Sequence, residues 1–320
     1  MNKTGLFFIA FLGFASGTFA QRQNQYFLKD NGIQVKLRDS ADYLRIVQEP
    51  EQGSKLYKVN EYYLDGTQKS SGLSKTINPP KYEGPYISYY KNGNKHVIGN
   101  YSDGLLRDSV DTYYPNGKLY TRLVWPLDPE QNILKQTYMH TVMDSTGRVL
   151  VKNGNGDGIF YNHDFTEIVE QGKVKDGTYD GLWTGGDKGN GFQFKETYEN
   201  GKFLSGESRD ANGQVYTYTK KESLPEFTGG MNQFYKYLGR KIQYPRGAEK
   251  RGGQGVVYLR FVVKKDGSIK DITLMNDIDR ELATEAIRVM RQSPPWIPGL
   301  QRGVPVNVLY NIPISFNLGR

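Results

Sequence analysis

From Val306 onward every even position is apolar: Val306, Val308, Tyr310, Ile312, Ile314, Phe316 and Leu318. The odd positions are mostly polar, Asn307, Asn311, Ser315 and Asn317, with Leu309 and Pro313 standing apart. Such alternation predicts a strand with one face on a core and the other in water. Pro313 has no N–H to give a ladder, so the pattern predicts a sheet edge or a bulge. An open edge must be blunted, covered or used.

Upstream, Met231, Phe234 and Leu238 share one face of a helix predicted from Met231 to about Lys241. Tyr244-Pro245 breaks it, because a residue before proline avoids the helical region. A strand is predicted over residues 254–263, with Val257, Leu259, Phe261 and Val263 on one face and Val256, Tyr258, Arg260 and Val262 on the other. Lys265-Asp266-Gly267-Ser268 turns it, and Ile269 to Leu274 returns. Asp279 fits the N-cap of a helix running to about Gln292, with Leu282, Ala283, Ala286, Ile287 and Met290 as its stripe. Ser293-Pro294-Pro295 ends it, and Trp296 reads as a core plug. The order gives a small α+β domain with a three-stranded antiparallel sheet and two helices on one face.

Residues 21–223 have a different grammar, rich in Tyr, Gly, Asn, Asp and Lys and poor in helical periodicity. Tyr62-Tyr63-Leu64-Asp65-Gly66 recurs as Tyr89-Tyr90-Lys91-Asn92-Gly93 and Tyr113-Tyr114-Pro115-Asn116-Gly117, and more loosely as Tyr198-Glu199-Asn200-Gly201. Asp-Gly and Asn-Gly between aromatic runs predict two-residue hairpin turns. A second motif is Gly-x-aromatic: Gly84-Pro85-Tyr86, Gly158-Ile159-Phe160 and Gly181-Leu182-Trp183. Repeated hairpins predict a mainly β region of stacked antiparallel units, its tyrosines packed across strands. These units resemble the MORN-like repeats of bacterial exported proteins. The sequence thus divides into residues 1–20, 21–223 and 224–320, with Lys220 to Pro225 as a linker.

Residues 1–20 read as a secretory signal: Lys3, an apolar run from Leu6 to Ala15, then Thr18-Phe19-Ala20. The run is short for a membrane span. An uncleaved anchor is the alternative. The chain has no cysteine, which excludes disulfides, Cys metal sites and a lipidated-cysteine anchor. Export without disulfides is compatible with a periplasm. The net charge of +8 is uneven, since residues 224–320 carry 15 basic and 8 acidic side chains. In an exported protein this favours an acidic peptide, anionic glycan or membrane surface over nucleic acid.

Candidate chemistry is sparse. His96, His140 and His163 have no helical ligand partners, and neither a nucleophile elbow nor a phosphate loop occurs. The stretch from Gly185 to Gly191 reads as a flexible loop. Asn153-Gly154-Asn155-Gly156-Asp157-Gly158 mimics calcium-loop spacing but offers few carboxylates and reads as a turn. No catalytic residue, metal or cofactor is expected. A glycan-binding envelope protein using the repeats remains open as another class.

Pro225-Glu226-Phe227-x-Gly229-Gly230, Tyr244-Pro245, Gly253-Gln254-Gly255-Val256-Val257, Asp266-Gly267-Ser268, Trp296-x-Pro298-Gly299 and the closing strand together resemble the C-terminal domain of TonB family proteins. The form is that of Bacteroidetes-type energy transducers. The resemblance implies binding of the TonB-box segment of outer-membrane active transporters by strand addition to the last strand. It places the partner-binding edge on Val306, Asn307, Val308, Leu309, Tyr310, Asn311 and Ile312, with Tyr244 and Gln254 as further candidates by analogy. It implies a periplasmic protein with outer-membrane TonB-dependent transporters as partners, and inner-membrane motor proteins too if the N-terminus stays anchored. A homodimer through swapped edge strands is also open. Transducers of that family carry a membrane helix and a Pro-rich spacer; here the apolar segment reads as cleavable and hairpin repeats stand in the spacer's place.

Overall fold

The computed structural model describes residues 23–125 and 137–318. The predicted signal and its cleavage site lie outside them. The chain divides into two compact units, Met1–Val149 and Leu150–Arg320.

The first unit is an antiparallel meander. Strand Tyr43–Gln48 pairs with Gln23–Leu28 on one side and Tyr57–Tyr63 on the other. Each following strand pairs with the next, through Gln68–Ser74, Tyr82–Tyr89, Lys95–Ser102, Leu105–Tyr113 and Leu119–Trp125 to Tyr138–Met143. The recurrent tyrosine pair has a definite job here. The second tyrosine of each unit donates its hydroxyl to a backbone carbonyl of the next unit: Tyr63 to Tyr89 at 3.0 Å, Tyr90 to Tyr113 at 2.6 Å, Tyr114 to Met143 at 2.9 Å. The ring packs apolar area while its polar tip satisfies a carbonyl that strand pairing leaves free.

The turns correct one expectation. Asp65-Gly66, Asn92-Gly93 and Asn116-Gly117 are not two-residue turns, because only the glycine takes positive φ, at 92°, 83° and 84°. The preceding carboxylate or amide instead accepts an N–H two residues on, as Asp65 does from Thr67 at 2.9 Å. These are longer hairpin loops closed by a left-handed glycine. True two-residue turns with both central residues at positive φ occur at Asp103-Gly104, Asn153-Gly154, Asp176-Gly177 and Asn200-Gly201. The calcium-like stretch is thus a tight turn.

In the second unit the hairpins continue through strands Asn155–Tyr161, Ile168–Lys175, Thr178–Asp187, Phe192–Glu199, Lys202–Arg209 and Val215–Tyr218. Two Gly-x-aromatic motifs prove to be bulges. Gly84 and Gly181 take positive φ, the register shifts beside them, and the aromatic that follows lands opposite a glycine: Tyr86 on Gly72, Trp183 on Gly172. Trp183 is fully buried and stacks on Tyr179 with centroids 3.7 Å apart. Gly158 sits in unbroken register opposite Gly172 and makes no bulge. The expected flexible loop is partly strand: Gly185, Gly186 and Asp187 pair with Phe194, Gln193 and Phe192, and the turn is confined to residues 188–191. Gly185 is required by close packing, since a Cβ there would stand 2.2 Å from the Val169 carbonyl oxygen.

The α+β domain has helices Gly230–Lys241 and Arg280–Arg291 on one face of a sheet ordered Ile269–Leu274, Gly255–Val263, Val308–Phe316. Pro245 both stops the preceding helix and opens a further short one, Arg246–Lys250. Proline suits a helix start, where its missing N–H costs nothing. Asp279 caps as expected, accepting the Glu281 N–H at 2.8 Å. Val257, Leu259, Phe261 and Val263 meet Phe234, Leu282, Ala286, Val289 and Met290, all fully buried. Each large apolar side chain so placed contributes roughly 1.5–3 kcal/mol. Trp296 plugs this core, edge-on to Phe227, Phe234 and Phe261.

Lys220 to Pro225 is not a free linker. Glu222–Ser223 pairs with Gly299–Gln301, which pairs with Val304–Val306. The tip of that hairpin, Arg302-Gly303, takes the two-residue form and inserts beside the last repeat strand. Arg302 lies with its guanidinium carbon 3.7 Å from the Phe194 ring centre and donates to Glu196 at 2.8 Å. Its N–H reaches the Lys221 carbonyl, and its carbonyl accepts the Ser208 hydroxyl. Glu196, wholly buried, also accepts from Tyr198 and Tyr218. Burial alone would push this carboxyl up; the Arg302 and tyrosine hydrogen bonds outweigh it and hold it below the usual glutamate range.

Candidate functional site: an open strand edge

The predicted closing strand is two strands. Val304–Val306 belongs to the small sheet, and Val308–Phe316 to the large one. The break is Asn307, whose side chain leaves the pattern to accept the Lys265 N–H at 3.0 Å.

Backbone parity decides what the edge offers. Tyr258 gives its N–H to the Asn276 side chain and its carbonyl to the Met275 N–H. Lys264 likewise donates to Ser268. Even residues of Gly255–Val263 therefore turn their backbone groups toward Ile269–Leu274, and odd ones toward the closing strand. In the observed register Val263, Phe261, Leu259, Val257 and Gly255 oppose Val308, Tyr310, Ile312, Ile314 and Phe316. Those five are the hydrogen-bonded pairs of the ladder, so Leu309, Asn311, Pro313 and Ser315 turn their backbone groups away from it. Among the described residues no strand pairs with that side. Pro313 falls on an outward position. Its missing N–H therefore breaks no internal bond, which is why a proline is accommodated inside a nine-residue strand.

The seven residues expected at the edge are thus not equivalent. Leu309 and Asn311 present outward backbone groups. Val308, Tyr310 and Ile312 spend theirs on the ladder, and the Ile312 side chain is buried. Val306 pairs with Gly299, and Asn307 is engaged with Lys265. Pro313 and Ser315 were missed. The parity of Pro313 was the available signal, since an in-strand proline marks which alternate residues face outward.

Tyr244 and Gln254 lie at the other end of the strand, beside Phe316. The Tyr244 ring meets Phe316 edge-on, centroids 5.8 Å apart, and its hydroxyl donates to the Gly253 carbonyl. Tyr244 thus holds the strand end rather than offering a free polar group. Gln254 is exposed directly before the Gly255 pairing position.

Charge on this domain is sorted by face. On the helix side Arg251 binds Asp279 and Glu281, and Arg288 binds Glu285. Arg251 holds the Asp279 carboxyl below its ordinary value, helped by the Glu281 N–H; Arg288 does the same for Glu285. On the sheet's outer face, Arg260 donates its Nε to Asn311 at 3.1 Å and has no carboxylate partner among the described residues.

Residues 240–318 match the family model described as Gram-negative bacterial TonB protein C-terminal. That segment of the chain is similar to a TonB-type C-terminal domain. Two NMR solution structures of the Helicobacter pylori TonB C-terminal domain also match at 23% identity. One covers 27% of this chain and 91% of that chain with a TM-score of 0.22; the other covers 28% and 81% with a TM-score of 0.23. No curated protein matches the chain.

Proposed function

We propose that this is a non-enzymatic, TonB-like protein of the cell envelope that serves transport across the outer membrane. Its C-terminal domain takes an extended N-terminal segment of an outer-membrane transporter by strand addition. The outward row at Leu309, Asn311, Pro313 and Ser315 carries this reading: three N–H groups and four carbonyls of one strand lie in register without a partner strand among the described residues. Strand addition draws affinity from such main-chain bonds and specificity from alternate side chains. The basic balance of residues 224–320 speeds encounter with an acidic segment. The repeat hairpins act as a folded support, exported with the domain to the periplasm.

The test is a titration of the whole chain with peptides copied from the N-termini of TonB-dependent transporters, followed by amide NMR. The Leu309, Asn311 and Ser315 amides should shift and gain exchange protection. If every peptide leaves those three amides unchanged, the reading is wrong.

A further inference from the structure

We infer that Arg260 is the specificity-determining residue of this edge, selecting an Asp or Glu in the incoming strand with apolar side chains two residues to either side. The inference rests on the strand-addition reading and adds which side chain is read, and where.

Arg260 projects from the outer face of the sheet, away from the helices, and its cross-strand neighbour is Asn311. Their pair is a non-hydrogen-bonded one, in which the two Cα atoms approach to about 4.5 Å and side chains lie closest. The Asn311 side-chain oxygen accepts the Arg260 Nε. That bond draws the guanidinium across the closing strand, toward the open edge. It occupies Nε and leaves the terminal nitrogens of the fork without a carboxylate among the described residues. Arg251 and Arg288 on the helix side and Arg302 in the repeat junction are held by carboxylates, whereas Arg260 is held by the closing strand itself.

Asn311 is also one of the outward backbone positions. A strand added to the edge lies about 4.8 Å beyond it. The residue that exchanges hydrogen bonds with Asn311 carries its side chain on the same outer face, because paired residues of adjacent strands share a face. That side chain meets the guanidinium from the far side of Asn311. A carboxylate there can take the planar fork through two N–H groups, a fit that an amide or a hydroxyl reproduces poorly. The flanks are apolar. Leu309 is 59% exposed beside Val262, and Pro313 lies beside Tyr258, itself 49% exposed. Because the side-chain period of a strand is two, the segment reads apolar, any residue, acid, any residue, apolar, whichever way it runs.

The experiment compares transporter N-terminal segments carrying this pattern with twins in which the central Glu is replaced by Gln. Both bind to the whole chain, to Arg260→Gln and to Arg260→Glu, followed by fluorescence anisotropy. For the unaltered chain the acidic peptide should bind about fivefold tighter than its twin, as expected for a solvent-accessible bidentate pair. The gap should close in Arg260→Gln. It should reverse in Arg260→Glu, which should favour a third peptide with Lys at the centre. Recovery by that charge swap shows that the variant is folded. Equal affinity of the acidic and amide peptides for the unaltered chain overturns the inference while leaving strand addition standing, as does a gap that persists in Arg260→Gln. Absence of all binding, with the Leu309 and Asn311 amides unmoved, overturns both.

Discussion

Arg302 donates its Nε to Glu196 at 2.8 Å, across 106 residues of sequence. The arginine sits at the tip of the hairpin that leads into the closing strand; the glutamate lies in the floor of a repeat hairpin with no exposed side-chain surface. The two parts of the second unit are therefore joined by a buried, charge-assisted bond.

Removing the acid should be costly. Glu196→Ala leaves Arg302 with only the more distant Glu170 carboxylate, 3.9 Å away, takes the acid from Lys221, and leaves two tyrosine hydroxyls without their acceptor. Breaking a buried pair typically costs about 3–5 kcal/mol; the partial exposure of Arg302 lowers this to about 2–3 kcal/mol. Urea unfolding of the whole chain measures it. Arg302→Lys should also be destabilising, because an ammonium cannot both lie on the Phe194 ring and reach Glu196.

The same carboxyl gives a pH signature. Its pKa in the folded state is depressed, so the folded protein binds fewer protons than the unfolded chain in the acid range. The resulting stability is present above the unfolded glutamate value of about 4.3 and is lost as pH falls through the folded value. The difference in urea midpoint between the protein and Glu196→Gln should be widest near neutral pH and shrink below about pH 4. A constant difference across that range would remove the junction from the account.

Trp183 fixes a glycine opposite it. A methyl at Gly172 would come within 2.5 Å of the indole, which is fully buried and cannot step aside. Gly172→Ala should destabilise the chain by about 1–3 kcal/mol through overpacking. Gly213, with open space around its missing Cβ but a φ of 82°, offers a contrast in which strain alone acts. Thermal melts of the two variants, with Trp fluorescence as probe, separate the causes: only Gly172→Ala should change the emission.

A proline can silence one edge donor without breaking the sheet. Leu309→Pro removes an outward N–H, and Val308 before it is already extended, as that position requires. Stability should change by less than about 1 kcal/mol. Affinity for a bound segment should fall about fivefold or more, one main-chain bond lost. Ile312→Pro strikes the internal ladder instead and should unfold the domain. Equal damage from the two variants would refute the parity assigned to the edge.

Much of this was legible because its causes are local. The stripes of Phe234, Leu238, Leu282, Ala286 and Met290, the cap at Asp279 and the alternation from Val308 to Phe316 follow from residue spacing alone, and the helices and sheet form where those spacings place them. Other features have non-local causes. Asn307 breaks the closing strand because Lys265, distant in sequence, offers it an N–H. Lys220 to Pro225 looked like a linker because two paired residues, Glu222 and Ser223, are too short a run to register as a strand. Asp65-Gly66 and Asp103-Gly104 carry the same dipeptide yet form different turns; the flanking strand register, not the pair, decides. Of the candidate edge, the strand was readable, but its outward half was not, because parity depends on which side the neighbouring strand takes.

Pro313 has a consequence for self-association. A bare strand edge invites a second copy to dock, then a third, and so to grow into a fibre. A lengthening ladder along this strand must cross a position that supplies a carbonyl and no matching donor, leaving one acceptor of the newcomer unmet. A single guest segment meets that gap once, whereas a growing flat sheet bears it in every layer. The residue thus keeps the seam open to visitors while discouraging polymerisation.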